Sequence, residues 1–450
     1  MSKTEENRTR MLEGPVGKTL AALTVPMVFG ILSMVLYNLV DAFFVGRLGK
    51  EQLAALSFTF PVVMTISGVA LGLGMGTSAA VSRAIGSGNY QKVRRLATDS
   101  LTLGLLVIVI GVIGGLLTVK PLFRLLGARG DVLEYIALYM RIWYIGMIFV
   151  VVPMIGNNII RATGDTKIPG LIMVLGALAN FALDPLLIFG LGPIPSLGIR
   201  GAALATLIGR GITFVISMYV LVRREHLLTA AIPRLREVWA SWREILHVGL
   251  PNAGARVIIP LGQSVMTRIV ATYGAAAVAG YGVGTRVEFF SLAAINALSS
   301  VIGPFVGQNL GAGQIERVKR GFTVSLYFSL SIGLGLFVVY LFLGDTIASL
   351  FNDDPTVISV AALYIRIVSV TFAAQGFYLV VNSGLNVLHR PLHAAGLSVM
   401  ELFGIGIPLA LLGSLFFGVA GVFAAVALSY AATGAVAWIV IKRVLTRYDL

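Results

Sequence analysis

The sequence predicts an all-α integral membrane protein with twelve transmembrane helices, arranged as two six-helix lobes related by a parallel pseudo-two-fold repeat. Three observations predict it. The 450 residues are 57% hydrophobic and 12% charged, with a mean hydropathy of +0.91, whereas soluble domains carry roughly 25% charged residues. The apolar residues fall into twelve runs, each long enough to cross hydrocarbon as a helix. The second half of the chain repeats the first at a constant offset.

The runs lie near residues 17–46, 52–84, 98–119, 132–159, 168–191, 200–222, 244–273, 276–308, 322–344, 357–386, 394–416 and 419–441. The 52 glycines suit close helix packing in lipid. The first fifteen residues are polar and show no cleavable-signal pattern, so the first run is read as a span. With no cysteine there is no disulfide or thiol chemistry. The net charge of +14 sits in short clusters between apolar runs, which favours a polybasic membrane face over nucleic-acid binding. Of the 34 Lys and Arg residues, 22 fall in the termini and the loops after even-numbered spans, against six in the loops after odd-numbered spans. Both termini are therefore expected in the cytoplasm, with the chain in the plasma membrane.

The repeat is read residue by residue. Gly86-Ser-Gly-Asn-Tyr-Gln-Lys-Val-Arg-Arg95 aligns with Gly311-Ala-Gly-Gln-Ile-Glu-Arg-Val-Lys-Arg320 at an offset of 225. Pro26 and Pro251, Tyr139-Met-Arg-Ile142 and Tyr364-Ile-Arg-Ile367, and Asn157 and Asn382 keep that offset. Gly198-Ile-Arg-Gly201 and Gly418-Val-Ala-Gly421 align at 220. Six spans per half is an even number, so both halves enter the membrane in the same direction, an architecture typical of alternating-access transporters. The expected division is an N-lobe at 1–222, a linker at 223–243 and a C-lobe at 244–450. The linker reads as an amphipathic segment at the cytoplasmic interface.

Within this frame, Asp41 stands out. It has no Lys or Arg within four residues and lies near the end of the first span. A carboxylate at the centre of a bilayer costs about 2.5–3.5 kcal/mol even on the mild insertion scale, so such a group is functional by default. Asn180 and Asp184, four apart, share a face of the fifth span, and Thr206 offers a hydroxyl in the sixth. The repeat places Met266, Ile405, Leu409 and Val426 at or near the matching positions of the second half. The fold itself does not demand these polar groups.

Asp41, Asn180, Asp184 and Thr206 are thus candidate ion-coupling residues, holding H+ or ligating Na+ with their oxygens, since two nearby carboxylates in low dielectric cannot both carry charge cheaply. A structural hydrogen-bond network between helices is the competing reading. Tyr37 and Asn38 share the face of Asp41. With Asn157 and Met173 they are the candidate substrate-binding residues, and Met147 and Met154 are further candidates for the cavity wall, although core packing suits each Met.

Glu288 reads as paired with Arg286, and Glu401 as a secondary candidate for contacting a cationic substrate. Arg141 and Arg366 recur in both halves and read as structural. His389 and His393, four apart without an acidic partner, read as a solvated face. No metal site is expected beyond Na+ at the Asp41 cluster, and no cofactor. Gly72-Leu-Gly-Met-Gly-Thr-Ser lacks the lysine of a phosphate-binding loop, so an ion gradient rather than ATP is the expected energy source.

Arg161-Ala-Thr-Gly-Asp-Thr-Lys-Ile-Pro169, Asn180-Phe-Ala-Leu-Asp-Pro-Leu-Leu-Ile-Phe-Gly190 and Gly307-Gln-Asn-Leu-Gly-Ala312 resemble the multidrug and toxic compound extrusion (MATE) family over nearly the whole chain. The resemblance implies an antiporter that expels organic cations and hydrophobic drugs while admitting H+ or Na+, with two bundles rocking around a central cavity, and a monomer is expected. In the DinF-like branch the first-lobe cluster is the ion site, which carries over to Asp41, Asn180, Asp184 and Thr206, and Pro26 matches the proline that lets the first span bend. The NorM-like branch places carboxylates in the seventh and tenth spans. Here the seventh has none and the tenth has Asn382, so the DinF-like assignment is favoured. A lipid or lipid-linked-sugar flippase of the same wider superfamily is the alternative, although such proteins have a cationic cavity and the distinctive buried groups here are acidic. A passive channel and an intramembrane enzyme are weaker rivals, because the repeat argues against the first and no nucleophile–base pair supports the second.

Overall fold

The computed structural model describes residues 3–190 and 195–448, less the side chains of Asn38, Leu39, Ala42 and Lys50. Among the described residues the chain is helical nearly throughout and forms no strand. The first half comprises α1 (Lys3–Glu13), α2 (Val16–Gly46), α3 (Lys50–Gly86), α4 (Tyr90–Leu125), α5 (Gly130–Ile145), α6 (Met147–Ala162), α7 (Lys167–Phe189) and α8 (Ile199–Tyr219), the last continued by a π-helical turn at Val220–Arg224. The second comprises α9 (Leu235–Ala271), α10 (Ala275–Ser291), α11 (Ala293–Gly311), α12 (Ile315–Ser349), α13 (Pro355–Ser369), α14 (Phe372–Val387), α15 (Pro391–Val399), a π-helical segment Met400–Gly406 and α16 (Ile407–Thr446).

Among the described residues, seven helical stretches are long and apolar enough to cross a membrane, and three bent pairs, α5–α6 (48°), α10–α11 (49°) and α13–α14 (62°), bring the number to ten. The run expected at 244–273 lies in α9 and supplies a further crossing of the fold. Another comes from Pro391–Thr446, whose 56 residues far exceed the roughly 20 that one crossing needs, and which breaks at Gly418 (φ 60°, ψ −144°). The chain has the twelve-helix, two-lobe fold. The runs expected at 132–159, 276–308 and 357–386 are each bent pairs rather than straight helices. Hydropathy reports length and composition and carries no information on axis direction. Leu235–Arg243, expected as a separate interfacial segment, is instead the start of α9.

The helix boundaries repeat as the sequence does. Gly46 and Ala271, Lys50 and Ala275, Gly86 and Gly311, Tyr90 and Ile315, Gly130 and Pro355, and Met147 and Phe372 are all 225 residues apart. Local chemistry explains several of them. Asn89 caps α4 by accepting from the Lys92 amide at 2.9 Å, and Asp354 caps α13 ahead of Pro355. Two interruptions of the second half have no counterpart in the first: the break between α10 and α11 falls where α3 runs on unbroken, and the π-helical segment Met400–Gly406 falls where α7 does.

Two compact units form. One comprises Met1–Arg8 and Pro26–Ala253, the other Thr9–Val25 and Gly254–Leu450, so the chain passes between them inside α1, α2 and α9. In the first, Arg83 and Lys92 donate to Glu244 on α9 at 3.2 and 3.0 Å, and Trp242 Nε1 donates to the Asp99 carbonyl at 2.9 Å. In the second, Arg317, the repeat partner of Lys92, donates to the carbonyls of Met11 and Gly14 at 3.1 and 2.7 Å. The first core gathers Phe123, Met140, Trp143 and Tyr144, and the second Tyr364, Phe372 and Phe423. Large apolar side chains face outward, among them Leu117, Phe342 and Leu415, which in water would be a liability and in lipid is the solvent-matched surface.

Candidate functional site

Small residues bring the polar helices of the first unit together. A side chain at Gly170 on α7 would meet the Pro26 carbonyl oxygen of α2 at 2.5 Å, and one at Gly30 would meet the Gly170 Cα at 3.1 Å. Along α7 and α8, Gly176 faces Thr213 and Gly209 faces Asn180. Without a hydrophobic drive between helices in lipid, such close backbone approach is what lets helices associate. It sets the far end of α2 beside the middle of α7 and the start of α8.

Asp41, Asn180, Asp184 and Thr206 meet there. Asn180 Nδ2 donates to Asp184 Oδ1 at 3.2 Å. Asp41 lies close enough to Asp184 for their charges to repel. Tyr37 and Thr206 join hydroxyls at 3.2 Å. Asn180, Asp184 and Thr206 are buried. Three buried oxygens, Asp41 Oδ1, Asn180 Oδ1 and Asp184 Oδ2, have no hydrogen-bond partner among the described residues. A buried acceptor left unsatisfied costs about 1–3 kcal/mol, so three in one cluster mark a place that a proton or an oxygen-ligated cation would relieve.

Beside this cluster is a cavity of about 60 Å³ lined by Met34, Tyr37, Met154, Asn157, Met173, Thr206 and Arg210, among others. It has room for several waters or an ion. Tyr37, Asn157 and Met173, read as substrate-binding, therefore share one wall, and Asn157 Oδ1 is itself unpartnered among the described residues. The side chain of Asn38 lies outside the described residues. Met147 is buried in the core of the first unit instead, against Gly111, because it begins α6 on the core-facing side of the bend.

Two residues here were missed as site residues in the sequence. Tyr139 on α5 is buried among Tyr37, Asp41, Asp184 and Thr206. In the sequence it figured only as the repeat partner of Tyr364, and nothing along the chain shows which polar groups it meets. Arg210 sits with its guanidinium carbon 5.3 Å from the Tyr37 ring centroid, and no carboxylate among the described residues pairs with it. In the second unit, Glu401 lies in the π-helical segment and shares a hydrogen bond with Tyr378, whose hydroxyl also meets Ser398 at 2.8 Å. Arg286 and Glu288 do not pair: Glu288 is buried and Arg286 exposed, because two residues along a helix point to different sides.

The family model described as MatE matches residues 26–186 and again 251–412, starting points that are themselves 225 apart. The FAD transporter of Shewanella oneidensis is 37% identical over 98% of this chain and 97% of its own length. The probable multidrug resistance protein NorM of Thermotoga maritima is 28% identical over 82% of this chain and 79% of its own. Among solved structures, the Vibrio cholerae MATE transporter VcmN in the bent form superposes with a TM-score of 0.91 at 30% identity, over 96% of this chain and 98% of that one. An outward-facing multidrug resistance MATE family transporter superposes at 0.92 with 26% identity, over 98% of each chain. With the repeat, the twelve crossings and matches along both halves in agreement, the chain belongs to the MATE family and is a membrane transporter rather than an enzyme.

Proposed function

We propose that the protein is a plasma-membrane antiporter that exports an organic solute in exchange for H+ or Na+ bound at Asp41, Asn180, Asp184 and Thr206, with both termini in the cytoplasm and lobes at 1–222 and 244–450 joined by 223–243. The observation that carries this reading is the set of three oxygens on Asp41, Asn180 and Asp184 that are unpartnered among the described residues. An ion there removes the repulsion between the two carboxylates, so loaded and empty clusters favour different positions of the first span, with Pro26 as its weak point. The ion and the solute then compete through the conformation rather than for the same atoms. The cavity of about 60 Å³ is well below the roughly 300–1,000 Å³ of a drug-sized pocket, so the solute requires a more open arrangement of these helices.

The multidrug names among the relatives support organic cations or hydrophobic drugs as substrates. A second reading of the substrate is favoured by Arg210. A guanidinium without a carboxylate partner among the described residues, beside an aromatic ring, suits an anionic aromatic solute, and the relative at 37% identity is named an FAD transporter. Proteoliposome efflux tests both, with ΔpH and ΔNa+ imposed separately and either a fluorescent organic cation or FAD as solute. Gradient-driven efflux should be lost in Asp41→Asn with the protein correctly inserted. Arg210→Gln should depress FAD efflux at least tenfold, about 1.4 kcal/mol, and spare the cation. Normal transport by Asp41→Asn would refute the coupling role, and lipid scrambling without gradient-driven efflux would favour the flippase.

A further inference from the structure

The two halves also differ in charge at their matching turns. The α6–α7 turn carries Gly164 (φ 87°) and Asp165, and Arg224, at the end of the sixth span, pairs with Asp165 at 3.3 Å. The α14–α15 turn, 225 residues on, carries His389 (φ 56°) and Arg390. The acid of one half is a cation in the other. The left-handed position held by glycine in the first half holds an exposed imidazole in the second, a conformation that residues with a Cβ rarely adopt. Tyr448 donates to the Leu388 carbonyl at 3.3 Å, which brings the end of α16 to this turn. Arg447 precedes that tyrosine, Arg443 lies one turn earlier on the same face, and Lys442 adjoins it. Lys442, Arg443 and Arg447 are exposed and Arg390 is half-buried.

Among the described residues, Arg390, Lys442, Arg443 and Arg447 form no ion pair. Between Pro355 and Tyr448 the one carboxylate is Glu401, about 15 Å along the helix from Pro391. Asp449 lies outside the described residues. Like charges gathered on one rim repel each other unless an anion joins them. The adjoining surface selects the kind of anion. Trp438 and Ile439, one turn before Lys442 and Arg443, are exposed, as is Leu392 beside the turn. On a span such side chains meet acyl chains, with Trp near the level of the headgroups. A phospholipid lying along α16 would set its tails on Trp438 and Ile439 and its phosphate among the cations. A free phosphate would leave that apolar surface unused. The charge count assigns this rim to the cytoplasmic side, where basic clusters meet anionic headgroups.

We infer that Arg390, Arg443 and Arg447, with His389 and Lys442, form a headgroup site for an anionic phospholipid on the second unit. The site depends neither on the ion cluster nor on the transported solute. The test uses the full chain in phosphatidylcholine nanodiscs carrying a minor share of brominated phosphatidylglycerol or of brominated phosphatidylcholine. Bromine on an acyl chain quenches tryptophan at contact, and subtracting the signal of Trp438→Phe isolates Trp438. Half-maximal quenching should need roughly fivefold less phosphatidylglycerol than phosphatidylcholine, or better, as about one cation's attraction to an anionic lipid already supplies. Arg390→Asp, which restores the acid of the first half, should abolish that preference, and so should Arg390→Gln, Arg443→Gln and Arg447→Gln combined. Arg94→Gln, Arg223→Gln and Arg236→Gln combined remove as much charge from exposed positions of the first unit and should leave the preference intact. Equal quenching by both lipids in wild type would overturn the proposal. So would an unchanged preference in either rim variant, so that one variant suffices if the other does not fold. Loss of the preference in the first-unit variant would mean diffuse attraction without a site, and its loss in millimolar inorganic phosphate would assign the rim to a soluble anion. Either result would overturn the lipid as occupant.

Discussion

At the scale of single residues, the first-unit cluster is built from weak parts whose effect lies in their number. The Tyr37–Thr206 hydroxyl pair is a neutral hydrogen bond worth about 0.5–1.5 kcal/mol. Tyr37→Phe and Thr206→Val should each lower stability by about that amount. Because they remove the same bond, the double variant should lose less than the sum of the two, which thermal unfolding in detergent over a double-mutant cycle would measure. Full additivity would mean the bond contributes nothing. Asp41, Asn180 and Asp184 were legible in the sequence, since polar groups in apolar spans are costly and the repeat offers apolar residues in their place. Tyr139 was not, because the repeat preserves it. A residue kept in both halves looks architectural until the neighbours it serves are known.

At the scale of elements, the turns that begin the sixth and twelfth spans rest on one backbone conformation. Gly198 has φ 55° and ψ −132°, and Gly418 has φ 60° and ψ −144°. Side chains with a Cβ are strained there by about 1–3 kcal/mol. Gly198→Ala and Gly418→Ala should therefore each lower the unfolding midpoint and the folded yield, to a similar extent, as read by fluorescence-detected size exclusion. Wild-type behaviour in either would show that the turn tolerates another conformation. The sequence repeat already paired these glycines. It did not reveal the bends at α5–α6, α10–α11 and α13–α14, which leave the hydropathy of each run almost unchanged.

At the scale of the whole molecule, the charge distribution makes an assertion about direction. The loop after the second span is expected in the cytoplasm and the loop after the fifth outside. The chain lacks cysteine, so single replacements report cleanly. Ser87 and Ser196 are both exposed. In intact cells, Ser196→Cys should react with a membrane-impermeant maleimide and Ser87→Cys should react only after permeabilisation. The reverse pattern would invert the topology and with it the direction of transport.

What the sequence determined by itself was set by solvent and by repetition. Twelve apolar runs, the 225-residue offset and the lone carboxylates follow from the cost of burying polar groups in hydrocarbon and from duplication, and both are written along the chain. Tertiary structure alone decided who meets whom. It placed Tyr139 and Arg210 beside the predicted residues, separated Glu288 from Arg286, and surrounded that glutamate with Tyr364, Gln375 and Tyr430 from three other helices. It also divided the compact units inside α1, α2 and α9. The physical reason is the same throughout. Burial costs are local and additive along a sequence, whereas hydrogen-bond partners and packing faces are chosen by helix rotation and bend, which distant segments fix together.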